Sequence, residues 1–321
     1  MTDKVPDFKK TNALIESVLE RMSGVTGRNS NGQTGKSIQA DGLDLSDDLD
    51  ALQATVTRST KPLLRTVHHF ACTGGTLLSR SIAAQPNTVL LSEVDPFSPH
   101  LETKTKFAPA DLIRQTQSSI RPLSEAGLER TFMASLQGMY EATIKSGRHI
   151  VLRDHTHSHF CRGTAPAERT MLIELVSDYF EPRPLVTVRH PLDSFISLSA
   201  NSWITFAPGT LNEYARRYSA FLDAYEGILI VRYEDFVLDP ELIIQRICAH
   251  FELSVSRSWR EHLRIIELSG DSGRTSDSIE PRPRRPLPPE IAEQVPESAE
   301  YEALCDRLSY SPDPADDPFK V

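Results

Sequence analysis

Five short apolar runs punctuate the middle of the chain: LLRTVHHF over 63–70, TVLLS over 88–92, HIVLRD over 149–154, LVTVR over 185–189 and ILIVRY over 228–233. Each is too short for a globular helix and nearly continuous in apolar character, the pattern of a strand buried on both faces. Between them the period lengthens to that of a helix. The clearest example spans 126–146, where Leu128, Phe132, Leu136, Met139, Tyr140 and Ile144 share one face. Further helices are predicted at 75–84, 165–179, 192–200, 210–225 and 240–251. Strands alternating with helices predict an α/β fold, a three-layer sandwich with a central parallel sheet. Ligands of such sheets bind beyond the carboxyl ends of the strands, which directs attention to the residues just after 70, 92, 153, 189 and 233.

The two ends of the chain read differently. Residues 1–60 hold one aromatic, Phe8; Leu14, Ile15, Val18 and Leu19 predict a short helix near 9–23. The Gly-, Ser- and Asn-rich stretch behind it has linker composition, so 1–60 are expected to form a helical and flexible appendage. Nine of the 22 prolines fall between Pro281 and Pro318, which predicts a Pro-rich C-terminal tail over 281–321 with one helix near 289–308. The α/β domain is then expected over 61–280.

Charge and composition narrow the classes. There are 35 Lys and Arg against 44 Asp and Glu, a net charge of −9, which argues against coating nucleic acid or an anionic membrane. No apolar run approaches the eighteen or so residues of a membrane span, and MTDKVPDFKK is followed by no apolar signal segment, so a cytoplasmic location is expected. Cys72, Cys161, Cys248 and Cys305 form no CxxC pair and read as reduced thiols.

Chemistry-bearing residues gather at the strand ends. After the first strand comes ACTGGTLLS (71–79), a small-residue turn leading into a helix. Its glycines allow close backbone approach, and the N–H groups at a helix start favour an anion. Thr73 and Thr76 add hydroxyls, but no Lys stands beside Thr76, so GxxxxGK[ST] is absent and ordinary ATP or GTP hydrolysis lacks its key cation. The alternative is a tight turn whose glycines serve packing alone. After the fourth strand, Arg189 precedes Pro191 at a helix start, and Ser197 lies two turns along that helix; an arginine fork and a hydroxyl suit a phosphate. After the fifth comes Arg232-Tyr233-Glu234-Asp235, then Asp239-Pro240 as N-cap and first helical residue.

On these three blocks the sequence resembles the PAPS-dependent sulfotransferase family, which uses 3′-phosphoadenosine 5′-phosphosulfate (PAPS) as sulfuryl donor. CTGGTLL is similar to the family's 5′-phosphosulfate loop, RHPLDSFIS to its 3′-phosphate motif, and RYEDFVLDP to its Tyr-Glu-Asp segment, in the family's order over roughly 63–275. The resemblance, of bacterial type, implies a P-loop-type fold, a hydroxyl-bearing acceptor and no metal requirement. It assigns cofactor binding to Cys72, Thr73, Gly74, Gly75, Thr76, Leu77, Arg189 and Ser197. A mobile loop near the C-terminus that closes on the nucleotide in the family is matched loosely by Gly270, Gly273 and Arg274. One departure stands out. The family places Lys or Arg where this chain has Cys72, and Arg65, Arg80 and Arg153 are the nearby candidates to replace that cation. A reactive thiolate at Cys72 finds no partner base nearby in sequence.

An attacking hydroxyl must lose a proton. Glu93, where the second strand leaves the sheet, and His155, after the third, are the candidate bases, matching positions where the family carries His or Glu. His155, His157 and His159 would share one face if extended, as chelating histidines do, yet nothing in sequence completes a metal set. Arg282, Arg284 and Arg285, interleaved with prolines, could bind an anionic acceptor, but the favoured reading is that they are solvated. Two other functions remain open at this point: a P-loop-fold kinase using ATP, and a nucleotide-binding protein of the same fold that has lost turnover.

Overall fold

A computed structural model describes residues 61–98, 111–117, 119–268 and 279–319. The predicted helix near 9–23, the linker behind it, and Gly270, Gly273 and Arg274 lie outside the described residues. The unit considered below is Pro62–Val321.

The strands are β1 (Leu63–His69), β2 (Thr88–Val94), β3 (His149–Asp154), β4 (Arg162–Gly163), β5 (Glu181–Val188), β6 (Thr205–Phe206) and β7 (Leu229–Arg232). Five of them form one sheet in the order β2-β3-β1-β5-β7, every pair parallel. β4 and β6 pair separately, also in parallel. In chain order the helices are α1 (Gly75–Ala83), α2 (Leu112–Gln117), α3 (Glu125–Lys145), α4 (Thr156–Phe160), α5 (Leu172–Ser177), α6 (Pro191–Ala200), α7 (Leu211–Ala224), α8 (Tyr233–Leu238), α9 (Pro240–Phe251), α10 (Trp259–His262), α11 (Pro289–Ala292) and α12 (Ala299–Arg307). Among the described residues, no helix is long and apolar enough to cross a membrane.

The pleat sorts the strands' side chains into two layers. Val67, Val151, Leu185 and Val231 face α1 and α9, where they meet Leu78, Ile82, Ile243, Ile244 and Ile247. Leu64, Ile150 and Leu152 point the opposite way onto Met133 and Leu136 of α3 and Val176 of α5. Val186 and Val188 join them on that face, packed with Phe70 against α6 and α7. Each such side chain, removed from water, contributes roughly 1.5–3 kcal/mol before entropy is counted. This is the three-layer α/β sandwich that the alternating pattern predicts. The connection leaving β1 runs to β2 on one side of it, and the chain later crosses from β3 to β5 on the other, so the carboxyl end of β1 is where this parallel sheet opens a crevice.

The elements differ locally from the sequence reading in three places. The expected helix at 165–179 shrinks to α5. The fifth strand stops at Arg232, because Tyr233 already opens α8. The single helix expected over 289–308 is broken into α11, a 3-10 turn at Val295–Glu297, and α12. Pro296 sits in the break, where it can offer no N–H to a continuous helix. This segment does not trail away. Ile291, Tyr301, Leu304, Cys305, Leu308 and Tyr310 are buried in the same cluster as Phe70 and α7.

Candidate active site

The turn after β1 is built by close approach. Cys72 and Gly74 both have left-handed backbone, with φ of 63° and 82°, and Gly74 is the N-cap of α1. A Cβ on Gly74 would stand 2.3 Å from the Tyr233 ring, and one on Gly75 would stand 2.5 Å from the His69 ring. Glycine is therefore required here by packing, whatever ligand the turn serves. Thr73 is buried, and its hydroxyl donates to Phe70 O at 2.9 Å. The first helical hydrogen bond runs from Leu78 N–H to Gly74 O, so the amides of Gly75, Thr76 and Leu77 precede the ladder and keep the positive end of α1 at the crevice.

Of the three candidate cations, only Arg153 reaches this turn. Arg65 donates to the carbonyl of Phe251 and Arg80 to that of Leu263. Arg153, whose side chain is 3% exposed, donates to His69 Nε2, Ser92 Oγ and Thr76 Oγ1, each at 2.9 Å, and pairs with Glu93 Oε1 at 3.1 Å. Burial, with Arg153 next in weight, holds His69 well below the usual imidazole range, which keeps its Nε2 available as an acceptor.

Cys72 is half-buried, and burial pushes its thiol up to about 11 against the pull of Arg189 and Arg285. A thiol in that range carries its proton at neutral pH, so the reactive-thiolate reading fails. Arg285 is exposed, as expected. Arg284 is not solvated, contrary to the reading of the Pro/Arg segment: it donates to Asp193 Oδ1 at 3.0 Å and to Pro314 O.

Arg189 follows β5, with its guanidinium 4.8 Å above the Tyr233 ring that also touches Gly74. Its amide donates to Tyr218 Oη, and the next amide, of His190, donates to Glu234 Oε1 at 3.0 Å. Tyr310 closes the arrangement from the C-terminal segment by donating to Glu234 Oε2 at 2.5 Å. Ser197 is buried within α6. Asp239 caps α9 through Leu242 N–H with Pro240 behind it, as the sequence predicts.

On the other side of the turn stand the candidate bases. Pairing between β2 and β3 slips between Leu91 and Val94, and Glu93 adopts a positive φ of 58°. Such a bulge re-aims a side chain, here the Glu93 carboxylate, which meets Arg153 through Oε1 and His155 Nε2 through Oε2 at 3.2 Å. Burial pushes Glu93 up to about 7, against the lowering effect of Arg153. His155 Nδ1 lies 3.2 Å from Ser98 Oγ, and its Nε2 lies 2.6 Å from His157 Nε2.

The three histidines do not share a face. The chain turns into α4 at Thr156, leaving His159 against Phe160, while Glu93 takes its place beside His155 and His157. These three residues offer donor atoms within 4.8 Å of one another, a possible set for a divalent ion. Two observations favour a proton instead. The 2.6 Å contact is shorter than the roughly 3.3 Å edge that zinc bonds of 2.0–2.1 Å impose on a tetrahedron, and Arg153 already supplies positive charge to Glu93.

Several contributors had weak sequence signals. Arg153 was a candidate cation from its place at the end of the third apolar run, with nothing in sequence to set it above Arg65 and Arg80. Asp95, clamped by both terminal nitrogens of Arg169 at 2.7 Å, gave none.

Fold and site together define an α/β protein with a crevice at the carboxyl end of a parallel sheet, a helix start at its central strand and a carboxylate–imidazole cluster beside it. The model of the sulfotransferase family matches residues 70–257, more than half of the chain, and the chain belongs to that family. Among solved structures, it is similar to the sulfotransferase domain from the curacin biosynthetic pathway, at 17% identity over 79% of this chain and 99% of that one, with a TM-score of 0.49. It is also similar to a sulfotransferase from Alicyclobacillus acidocaldarius, at 13% identity over 77% and 97% of the two chains, TM-score 0.37. A third is mouse sulfotransferase SULT7A1 complexed with PAP, at 11% identity over 77% and 86%, TM-score 0.40. A search of curated protein sequences gave no match.

Proposed function

We propose that this sulfotransferase moves the sulfuryl group of PAPS to a hydroxyl of its acceptor. The observation that carries the reading is the convergence, around one turn, of an anion-favouring helix start, a buried arginine and a carboxylate–imidazole base. In this scheme the amides of 75–77 hold the 5′-phosphosulfate, and Arg189 and Ser197 take the 3′-phosphate. Arg153, tied to Thr76 Oγ1, supplies the positive charge that Cys72 cannot. The acceptor oxygen attacks sulfur in line, the bond from sulfur to the bridging oxygen breaks, and its electron pair stays on the departing phosphate. The acceptor's proton passes to the Glu93–His155 pair. Glu93 is suited to that task, since a base works best when its pKa lies near the operating pH. Catalysis rests on positioning and charge stabilisation, as in phosphoryl transfer.

Family membership and the absence of a loop lysine both weigh against an ATP-dependent kinase. A thermal-shift comparison tests the donor: stabilisation by adenosine 3′,5′-bisphosphate and not by ATP–Mg²⁺ is expected. Incubation with ³⁵S-labelled PAPS and a panel of alcohols, phenols and sugars then reads turnover. Stabilisation by the bisphosphate with no transfer to any acceptor, and no PAPS hydrolysis, would refute the enzymatic part of the proposal.

A further inference from the structure

The contact between His155 and His157 is unusual. Both ring nitrogens facing one another are Nε2, they stand 2.6 Å apart, and the rings meet edge-on. Two imidazole lone pairs cannot be held at that distance; one proton must lie between them. Glu93 Oε2, also an acceptor when ionised, stands 3.2 Å from the same His155 nitrogen and has no other hydrogen-bond partner among the described residues. Three acceptor atoms therefore surround a place that a cation, most simply a proton, has to occupy.

The surroundings hold the cluster on one side. His155 is buried and Glu93 half-buried, with side chains 9% and 15% exposed. Among the described residues, their charged and titratable neighbours include Arg153 on β3, which fixes Glu93 Oε1, and His69 at the end of β1, which accepts from Arg153. Asp154 is engaged by His68 and Tyr225, while Asp95 is clamped by Arg169, with His159 close by. His157 sits on the first turn of α4 and, like Glu93, is half-buried.

We propose that His157 is the third member of the base: Glu93, His155 and His157 hold protons as one unit, and His157 is the point at which the acceptor's proton leaves for water. The proposal rests on the reading of Glu93 and His155 as the base. At rest one proton lies among the three atoms. During transfer the acceptor O–H breaks and its proton joins the cluster, while the sulfuryl group moves to the acceptor oxygen and the electron pair departs with the 5′-phosphate. The cluster then holds one proton more than at rest, and release of that proton from His157 restores it. No oxidant, reductant or further reactant is needed. His157 acts through its neighbours, so its role is positioning and proton exchange rather than contact with substrate. Sites that interact this closely titrate together, with pKa values belonging to the group.

The test uses the full chain labelled with ¹⁵N-histidine, comparing His157→Gln with the parent. In the parent, two histidines are expected to titrate in coupled steps, with a strongly downfield N–H proton resonance from the short contact. His157→Gln should abolish that resonance and leave His155 titrating singly. Turnover, read as PAPS hydrolysis with water as the accepting hydroxyl or with an acceptor from the panel, should fall 10- to 100-fold in kcat. The KM for PAPS should stay within about twofold, and added imidazole should restore part of the lost rate. A His157→Gln protein that keeps the resonance, or the parent's kcat and pH profile, would overturn the proposal. So would loss of activity on chelation and its return with zinc, since the three atoms would then be holding a metal. The resonance and titrations need no turnover, so they decide the shared-proton unit even if PAPS proves not to be the donor.

Discussion

Glu93→Gln tests the cost of holding a charge at this position. Burial holds the Glu93 carboxyl at about 7 in the folded protein against an ordinary value of 4.5. For an acid, a raised folded pKa means that the folded state binds the proton more tightly than the unfolded one. The resulting advantage is complete below pH 4.5 and is lost as pH rises through about 7, above which ionised Glu93 bears its full penalty. Integrating over that window gives a penalty of about 0.8 kcal/mol at pH 5 and about 3.3 kcal/mol at pH 8. Glutamine is nearly isosteric and cannot ionise. It is also a weaker partner for Arg153, an effect nearly independent of pH in this range, and it takes a carboxylate away from His155, whose own titration changes with it. The difference in ΔΔG between pH 8 and pH 5 contains the charge term together with the change in His155, and the Glu93 share should favour Glu93→Gln by about 2.5 kcal/mol at the higher pH. Urea unfolding at both pH values, with the slope checked for constancy, measures it. A ΔΔG equal at the two pH values would show that Glu93 has an ordinary pKa, removing the argument that it is poised as a base.

Three further outcomes are expected. Arg189→Ala should weaken adenosine 3′,5′-bisphosphate binding by about 1.5–3 kcal/mol in calorimetry, the loss for a charge-assisted hydrogen bond; parental affinity in a folded variant would take Arg189 out of the nucleotide site. Cys72→Ser should leave kcat within about twofold, because Arg153 and the helix start carry the electrostatic task; a large loss in the PAPS assay with binding intact would show that the thiol takes part. Gly74→Ala should destabilise the fold by about 2 kcal/mol or more in thermal unfolding, combining the left-handed backbone penalty with the collision against Tyr233, and an unchanged Tm would contradict the packing described for the turn.

What the sequence determined on its own is whatever depends on local pattern. Continuous apolar runs located the five strands, because a strand buried on both faces has no polar side to show. Spacing of 3.6 residues located α1, α3, α6, α7 and α9, and the Asp239-Pro240 pair announced the start of α9. Three linear motifs carried the family. The tertiary structure alone decided which distant residues meet. The strand order puts β3 beside β1, which brings Arg153 to Thr76 across 77 positions of sequence and singles it out from Arg65 and Arg80. A one-residue slip between β2 and β3, with no mark in composition, turns Glu93 toward His155. The C-terminal segment reads as a tail because its prolines mask a handful of apolar residues, yet those residues close the core and deliver Tyr310 to Glu234. Periodicity reports the environment of a side chain relative to its own strand or helix. Contact between elements depends on topology and register, which are fixed by the packing of the whole sheet and are written in no single segment.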